Sequence, residues 1–358
     1  MRLERFSKIL VVNPYGIGDV LFMTPLIRQI KKSFPDAYLA CLLGSRTKEI
    51  LEMNPYVDEI FTFDKGLFDR SSFKNRIKIL FPLLRKLRSK RFEVMIDISN
   101  APEYSFLAKF FLGIKIRAGL DYKKRGRFLN RKIKLTGYEG KHVIEYYLDL
   151  IKLMGLEADD KKIDLYLTEE DEKFAAGFLK ENGVAEGEKL FGIVPGGGKS
   201  WGDNAVYKQW PVEKFALVGD EVYRCYGLRT IIFGGPDELE LTNRTRKLIK
   251  HECINSCAKT GIRQSAALMG MCELVLANDS GPLHIAVSRG VKTVSIFGPV
   301  DEKVYGPYPP SDKHKVLTAA VDCRPCYRRF KFNKCASQKC LFNISPEEVF
   351  KAIVEILC

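Results

Sequence analysis

Three short loops carry the residues of this sequence that are best suited to chemistry. They span residues 13–19, 194–200 and 278–284, and each joins glycine to charged or hydroxyl side chains directly after an apolar run. Loops at the carboxyl ends of buried strands are where α/β proteins bind their ligands. The three loops therefore predict a binding site for a small polar molecule, positioned by whatever strands and helices surround them.

The first loop, Asn13-Pro14-Tyr15-Gly16-Ile17-Gly18-Asp19, ends in a carboxylate. It lacks the third glycine of a dinucleotide-binding fingerprint. Asp19 has two interpretations. At the start of a helix it is a good capping residue, and at the mouth of a strand–helix turn it is placed to take a proton from a substrate hydroxyl. The loop by itself leaves both interpretations open.

The second and third loops are suited to phosphate. Residues 194–200 contain three successive glycines followed by a lysine, and backbone amides in such a run bind phosphate oxygens. Residues 278–284 open a helix, so unpaired amides and the helix dipole favour an anion there. Helix capping by Asp279 and Ser280, and a structural hydrogen bond for His284, are the alternatives.

Around these loops, short β-branched runs alternate with amphipathic helical patterns. The alternation predicts parallel sheets with helices on both faces, and it begins twice. We expect an N-terminal Rossmann-like domain at 1–165, a second at 166–345 that includes a cysteine-rich loop at 321–341, and a C-terminal helix at 346–358. Strands are predicted at 9–12, 38–42, 59–63, 94–98, 190–194, 229–234, 253–255, 274–277 and 293–297, and helices at 19–33, 73–90, 142–154, 170–181, 212–226, 238–249, 265–270 and 346–357.

Composition narrows the class of protein. Of the 358 residues, 46% are hydrophobic and 28% charged, which is typical of a soluble globular protein and excludes predominant disorder. No apolar run reaches the roughly eighteen residues of a membrane span, and the first residues lack the features of a signal peptide. We expect a cytoplasmic protein.

Together, the motifs resemble those of glycosyltransferase family 9, and the similarity covers nearly the whole chain. The matching residues are Gly18-Asp19-Val20-Leu21 with Thr24-Pro25, the second loop (residues 194–200, the glycine loop) with Lys208 and Trp210-Pro211, Phe233-Gly234-Gly235-Pro236-Asp237-Glu238, and Asn278 to His284 with Phe297-Gly298-Pro299. The best-known members are ADP-heptose:lipopolysaccharide heptosyltransferases. The resemblance implies an α/β protein of the GT-B fold, with two facing Rossmann-like doubly wound domains and a cleft between them. It also implies an inverting enzyme whose catalysis requires no metal or other cofactor.

The resemblance further implies roles for individual residues. Asp19 is expected to deprotonate the acceptor hydroxyl, with Gly16 and Gly18 beside the acceptor, and Lys208 to neutralise the departing diphosphate. Asp237 or Glu238 is expected to hold the ribose of the nucleotide-sugar donor. The full set of expected donor-binding residues is Gly197, Gly198, Asp237, Glu238, Asp279, Ser280, Gly281, Pro282, Leu283 and His284. The segment 198–207 is longer than the family pattern.

One stretch carries all of the net positive charge. From Asp64 to Lys134 there are 20 Lys and Arg against 6 Asp and Glu, a balance of +14 that equals the net charge of the chain. Near an anionic leaflet each basic residue contributes roughly 1 kcal/mol, so we expect peripheral association with the inner membrane. A solvated face is the alternative. Nucleic acid is not expected, because no recognition helix accompanies the charge. The cations expected to contact an anionic lipid-linked saccharide acceptor are Lys123, Lys124, Arg125 and Arg127.

Four of the ten cysteines have the spacing C-x2-C-x8-C-x4-C. They are Cys323, Cys326, Cys335 and Cys340. Four thiolates this close in sequence suit a tetrahedral structural site for Zn or Fe, and reduced, unligated thiols of a surface loop are the alternative.

The function predicted from the sequence is therefore transfer of a heptose from ADP-heptose to a lipopolysaccharide inner-core acceptor. Two alternatives stay open. The first is a glycosyltransferase of the same fold that acts on a protein or another surface glycan. The second is a non-catalytic protein that binds nucleotide sugars or polyanions.

Overall fold

The computed structural model of the protein describes residues 6–157 and 159–358, except for the side chains of Asp69, Phe73, Ile77, Lys199 and Ser200. Contacts divide the chain into two compact units, Met1–Ile163 and Asp164–Cys358. Each unit contains one six-stranded sheet in which all neighbouring strands are parallel. The two rounds of strand–helix alternation predicted from the sequence are confirmed.

The first unit alternates strands and helices from its first described residues. Its strands are β1 (Lys8–Asn13), β2 (Tyr38–Gly44), β3 (Glu59–Phe63), β4 (Val94–Asp97), β5 (Ile116–Tyr122) and β6 (Arg131–Leu135), and its helices are α1 (Ile17–Phe22), α2 (Thr24–Ser33), α3 (Glu49–Glu52), α4 (Lys65–Arg70), α5 (Phe73–Lys90), α6 (Pro102–Phe110) and α7 (Val143–Lys152).

The second unit repeats this plan. Its strands are β7 (Leu190–Val194), β8 (Arg229–Ile232), β9 (Ile254–Asn255), β10 (Cys272–Asn278), β11 (Lys292–Ile296) and β12 (His314–Leu317), and its helices are α8 (Glu169–Glu181), α9 (Val212–Tyr226), α10 (Leu239–Leu248), α11 (Ile262–Gly270), α12 (Gly281–Ser288), α13 (Glu302–Tyr305), α14 (Lys339–Phe342) and α15 (Pro346–Leu357). A 3₁₀ segment, Lys199–Lys208, follows β7.

Both sheets have the same strand order. The first runs β3-β2-β1-β4-β5-β6 and the second β12-β11-β10-β7-β8-β9, which is the same doubly wound order read from the other edge. The direction of winding reverses between β1 and β4 in one sheet and between β7 and β10 in the other. Ligands bind at these reversal points in open α/β sheets. The first loop follows β1, and the second and third loops follow β7 and β10, so all three lie at reversal points.

Burial on both faces explains the apolar character of the strands. In β1, Ile9 and Val11 point to one face and Leu10 and Val12 to the other, and all four are almost fully buried. Leu10 and Val12 belong to a core cluster that includes Leu87 of α5 and Ala108 of α6. Continuous apolar runs are expected in parallel strands covered by helices on both sides.

The predicted helix at 19–33 is wrong in one respect, because the structure contains two helices there. α1 ends at Phe22 and α2 begins at Thr24, with Met23 between them. Pro25 lies in the first turn of α2, where its missing N–H leaves no hydrogen bond unmade. The helical spacing of apolar residues continues through the break, which explains why the sequence favoured one helix.

Three strands of the structure were not predicted, and two of them, β5 and β6, lie inside the basic stretch. In β6, Arg131, Lys132 and Lys134 alternate with Ile133 and Leu135. β6 is the edge strand of its sheet. Lysines on an edge strand oppose pairing with another chain, so part of the positive charge has this structural use.

Candidate active site

In the second unit, the second and third loops lie side by side. Val194, at the end of β7, is in register with Ala277 of β10, so the residues that follow both strands meet at one edge of the sheet. Asn278 fixes the arrangement: its Nδ2 donates to the Pro195 carbonyl at 2.8 Å, and its Oδ1 accepts from the Trp210 N–H at 3.1 Å. One buried amide thus positions the glycine loop, the third loop and the segment that carries Lys208.

Lys208 and Asp279 form a buried ion pair. The Lys208 Nζ lies 2.9 Å from the Asp279 Oδ2, and each side chain is only 7% exposed. The ammonium also lies 4.9 Å from the centre of the Trp201 ring. The sequence predicted both residues as site residues but did not predict that they contact each other. The pair holds a positive charge in a fixed position beside the third loop.

The N-terminus of α12 lies next to this pair. Ser280 is its N-cap residue, and the buried Ser280 Oγ has no hydrogen-bond partner among the described residues. Gly198, at φ +81°, lies against Ser280 and the Gly281 N–H. The first N–H groups of a helix have no intrahelical acceptor. Helix amides and an unsatisfied hydroxyl beside a lysine form an arrangement that suits an anion.

The side chains in the first turn of α12 are otherwise structural. Leu283 and His284 are buried, and Pro282 has no N–H to donate. In this turn, the groups suited to contact a ligand are therefore the N–H groups of Gly281, Leu283 and His284 and the Ser280 hydroxyl.

Glu238 and Asp237 have different environments. The Glu238 Oε2 accepts from the Gly235 N–H at 3.0 Å, and a Cβ on Gly196 would collide with the Glu238 carboxylate. Asp237 is exposed. Since the sequence left the choice between these two carboxylates open, the contact with the glycine loop favours Glu238.

The 3₁₀ segment accounts for the extra length before Lys208. A Cβ on Gly197 would collide with the Ala205 carbonyl oxygen, so this glycine permits the segment to fold back onto the loop. Trp201 then packs against Tyr327 and Phe332, with ring centres 5.0 and 5.2 Å away. The longer segment is thus supported by the cysteine-rich loop.

In the first unit, Asp19 lies in the first turn of α1. Its Oδ2 accepts from the Gly16 N–H at 3.1 Å, and the Asn13 Nδ2 donates to its backbone carbonyl at 2.9 Å. The side chain is half-buried and partly accessible. The N-cap residue of α1 is Gly16 and not Asp19, which lies at N3 and accepts from the N-cap N–H, as in a capping box. This hydrogen bond does not exclude a second role as a base, because a bond from an N–H leaves the carboxylate able to accept a proton.

Polar residues that the sequence analysis missed surround this loop. Val12 of β1 is in register with Asp97 of β4, so Asp97 and Ser99 lie beside the first loop. The Tyr15 hydroxyl donates to the Ser99 carbonyl. Burial raises the pKa of Asp97 to about 7, against the opposing effect of hydrogen bonds from Ser99. The signal was present in the sequence, since Asp97 directly follows an apolar run just as Asn13 does.

Asn100 completes this group. It adopts a left-handed backbone with φ 55°, and its Nδ2 lies 3.4 Å from the Tyr138 hydroxyl. The Asn100 Oδ1 is buried and has no hydrogen-bond partner in the described chain. A non-glycine residue in this conformation with an unsatisfied polar atom is typical of a ligand-binding position.

The predicted acceptor loop approaches the same group. Lys123 and Lys124 have positive φ and begin a turn after β5, and the Arg125 N–H donates to the Tyr122 carbonyl at 2.9 Å. Burial of its hydroxyl, followed by the charges of Asp19 and Asp97, raises the pKa of Tyr15, and the charge of Arg125 lowers it. The effect of Arg125 is the smallest of these. Arg127 points elsewhere and lies over the Phe128 ring at 4.7 Å.

The predicted metal site finds no support. Among the described residues, no three His, Cys, Asp or Glu side chains are placed to hold a metal ion. Cys340 is instead buried in the core of the second unit, while Cys323 is exposed. Burial, followed by the charges of the Cys326 and Cys323 thiols, raises the pKa of Cys340 to about 11, so these thiols lie near one another although Cys340 is part of the core.

Comparison with known proteins identifies the family. The sequence profile of glycosyltransferase family 9 (heptosyltransferase) matches residues 80–337. The chain belongs to glycosyltransferase family 9. It is a glycosyltransferase, as predicted. A lipooligosaccharide heptosyltransferase 2 of Campylobacter jejuni is 28% identical over 354 residues, which cover 98% of both chains.

Solved structures of this glycosyltransferase family confirm the GT-B fold. A family 9 glycosyltransferase from Veillonella parvula superimposes with a TM-score of 0.83 at 25% identity, covering 99% of this chain and 98% of the other. The ADP-heptose lipopolysaccharide heptosyltransferase II of E. coli superimposes with a TM-score of 0.77 at 20% identity, covering 98% of each chain. No helix in residues 6–157 and 159–358 is long and apolar enough to cross a membrane.

Proposed function

We propose that this glycosyltransferase transfers a heptose from ADP-heptose to an anionic, lipid-linked saccharide of the lipopolysaccharide inner core, with inversion at the anomeric carbon. The observation that carries the proposal is the buried Lys208–Asp279 ion pair beside the N-terminus of α12, in a member of family 9. The choice of donor sugar and acceptor class is supported by the relatives, which are named as heptosyltransferases.

The diphosphate of the donor binds at the third loop. The N–H groups of Gly281, Leu283 and His284 and the Ser280 hydroxyl donate to its oxygens, and Lys208 supplies a cation. Negative charge grows on this diphosphate as the sugar leaves, so donors already fixed in place lower the barrier most. The Lys208 ammonium and the N-terminus of α12 stabilise the negative charge of the leaving diphosphate, which a metal ion stabilises in other enzymes. Transfer therefore proceeds without added metal.

Glu238 holds the ribose hydroxyls, and Asp279 orients the donor sugar. Glu238 is supported by its position against the glycine loop, next to Gly196. Lys208 fixes the position of the Asp279 carboxylate. This carboxylate can therefore accept hydrogen bonds from the sugar hydroxyls. Gly197 and Gly198 bring the backbone of the glycine loop close to the donor.

Asp19 is the general base. The acceptor oxygen attacks the anomeric carbon, its proton passes to the Asp19 carboxylate, and the bond from that carbon to the diphosphate oxygen breaks to release ADP. The half-buried position of Asp19, with its carboxylate held by the Gly16 N–H, supports this role. General-base catalysis typically contributes about 10²–10⁴-fold to a rate.

The acceptor approaches through the first unit. Gly16 and Gly18 border it, and Lys123, Lys124 and Arg125 of the turn after β5 contact its anionic groups. The cations of α5 hold the enzyme at the cytoplasmic face of the inner membrane, where such an acceptor is presented. Two of them, Lys86 and Lys90, pair with Glu59 and are less available.

A donor panel tests the proposal. Transfer is measured with ADP-, UDP- and GDP-sugars and a deacylated lipid A that bears inner-core sugars, in the presence of a metal chelator. Turnover with ADP-heptose alone is the expected result. Turnover only with a protein or another glycan acceptor would support the alternative acceptor class, and tight ADP binding without any turnover would support a non-catalytic binding protein.

A further inference from the structure

Four phenylalanine rings cluster on the surface of the first unit, at the end of α6 and in the loop after β5. Phe106, Phe110 and Phe111 are 39%, 55% and 47% exposed. Ring centres lie 4.9 Å apart for Phe106 and Phe110, 5.2 Å for Phe106 and Phe128, and 5.7 Å for Phe110 and Phe128. We call these four residues the aromatic corner. A contiguous apolar patch on a soluble protein usually marks an interaction surface.

Exposed cations border the aromatic corner. The Lys109 Nζ lies 4.9 Å from the Phe110 ring centre, and the Arg127 guanidinium lies over Phe128. Lys115 is exposed a few residues beyond Phe111. Within the described ranges, none of these three cations forms an ion pair with a carboxylate. Aromatic rings among unpaired cations are complementary to the region of a bilayer where lipid phosphates meet the acyl chains.

The aromatic corner contacts the cation-rich helix α5 and is close in sequence to the predicted acceptor loop, Lys123 to Arg127. The Arg88 Nη1 of α5 donates to the Phe111 carbonyl at 2.7 Å, which ties α5 to the end of α6. Phe128 lies three residues after Arg125, in the same turn after β5 as the predicted acceptor cations. A lipid-linked saccharide leaving a bilayer at the aromatic corner would therefore emerge beside the predicted acceptor loop.

We propose that the aromatic corner inserts into the headgroup region of an anionic bilayer, while neighbouring cations bind lipid phosphates. The inference deepens the membrane association in the proposed function and rests on it for the identity of the acceptor. Charge alone would hold the protein at the surface without insertion, and added salt would release it. Inserted rings add an apolar contact that salt does not remove.

A tryptophan reporter tests insertion. Phe110→Trp is compared with Phe342→Trp, because Phe342 of the second unit is 53% exposed and thus matched in accessibility. With vesicles of phosphatidylcholine and about 30% phosphatidylglycerol, we expect the emission of the Phe110→Trp protein to shift to the blue and to be quenched by brominated acyl chains. The Phe342→Trp protein should show neither effect. Vesicle binding without either effect at Phe110→Trp would overturn the proposal.

Partitioning provides the second test. We expect Phe110→Ser/Phe111→Ser to lower the vesicle partition coefficient about tenfold or more, and Phe342→Ser to leave it unchanged. Equal binding by the double variant and the native protein would refute insertion. Loss of self-association in sedimentation, with vesicle binding intact, would make the aromatic corner an interface between copies and would also refute it.

Transfer to the soluble deacylated acceptor separates this inference from the proposed function. We expect the double serine variant to keep native turnover with that acceptor, because the aromatic corner contacts the bilayer and not the reacting groups. If the native protein shows no transfer at all, the proposed function fails while the vesicle results stand.

Discussion

Replacing Lys208 by methionine tests the buried ion pair most severely. The substitution keeps the length of the side chain but leaves the Asp279 carboxylate buried without its cation. Removing one partner of a buried pair typically costs about 3–5 kcal/mol. The second unit spans Asp164–Cys358, and for a domain of that size about 1 kcal/mol lowers Tm by roughly 2–4 °C. We expect Lys208→Met to lower Tm by about 6–20 °C.

The double variant Lys208→Met/Asp279→Asn separates stability from catalysis. With both charges removed, no uncompensated charge stays buried, so Tm should return to within a few degrees of the native value. Transfer should not recover, because the leaving diphosphate still lacks its cation. We expect kcat to fall about 10²-fold or more in both variants. The assays are thermal unfolding followed by circular dichroism and steady-state transfer.

A surface pair provides the control for this experiment. Lys189 pairs with Glu273 at 3.2 Å but is 67% exposed. Such a pair typically contributes less than about 1 kcal/mol, so Lys189→Met should hardly change Tm. The reasoning is refuted if Lys208→Met is as stable as Lys189→Met, or if the double variant is less stable than the single one.

Two further predictions concern the loops. Gly197→Ala should lower both Tm and transfer, because the new Cβ would displace the segment at Ala205. Gly177→Ala in α8 is the control, since its Cβ meets open space and should leave Tm unchanged or raise it. Equal effects of the two substitutions on Tm would contradict this prediction. The second prediction concerns Asp97, whose pKa is about 7 in the folded protein and about 3.9 in the unfolded chain. Its bound proton therefore stabilises the folded state fully below about pH 3.9, and this contribution is lost as the pH rises toward 7. Asp97→Asn should remove that pH dependence in urea unfolding, and a pH profile like that of the native protein would show that Asp97 is not protonated.

The sequence predicted best those elements whose burial pattern is simple. β3, β7, α5, α9 and α15 have the residue ranges expected from their apolar spacing. β12 was missed because its four residues are all only half-buried, so no alternation marks it as a strand. The spacing of apolar residues along the sequence reflects which side chains are buried. An element whose residues are all equally exposed therefore shows little apolar periodicity.

The sequence singled out candidate site residues but not their contacts. Loop position and residue type indicated Asp19 and the third loop, and the resemblance to family 9 added Lys208. The Lys208–Asp279 pair joins residues far apart in sequence, and no spacing rule reports such a contact. Asp97 and Asn100 were missed for a related reason, because their importance comes from the neighbouring strand and not from their own segment.

The metal site illustrates the limit of spacing rules. C-x2-C-x8-C-x4-C spacing brings four thiols near one another in sequence, but a ligand must also point at the common centre. Cys340 lies at the start of α14 and packs into the core, whereas Cys323 is exposed, so the four thiols lie near one another without forming a ligand set among the described residues.

The central claim is that Asp19 removes the acceptor proton, and Asp19→Asn tests it most directly. The amide oxygen of asparagine can still accept from the Gly16 N–H, as the Asp19 carboxylate does from position N3 of α1, but asparagine cannot take a proton. Single-turnover transfer and ADP affinity are measured on the same preparation. We expect unchanged Tm and ADP affinity with transfer lowered about 10²–10⁴-fold. Transfer close to the native rate would contradict the account and leave the hydrogen bond from the Gly16 N–H as the role of Asp19.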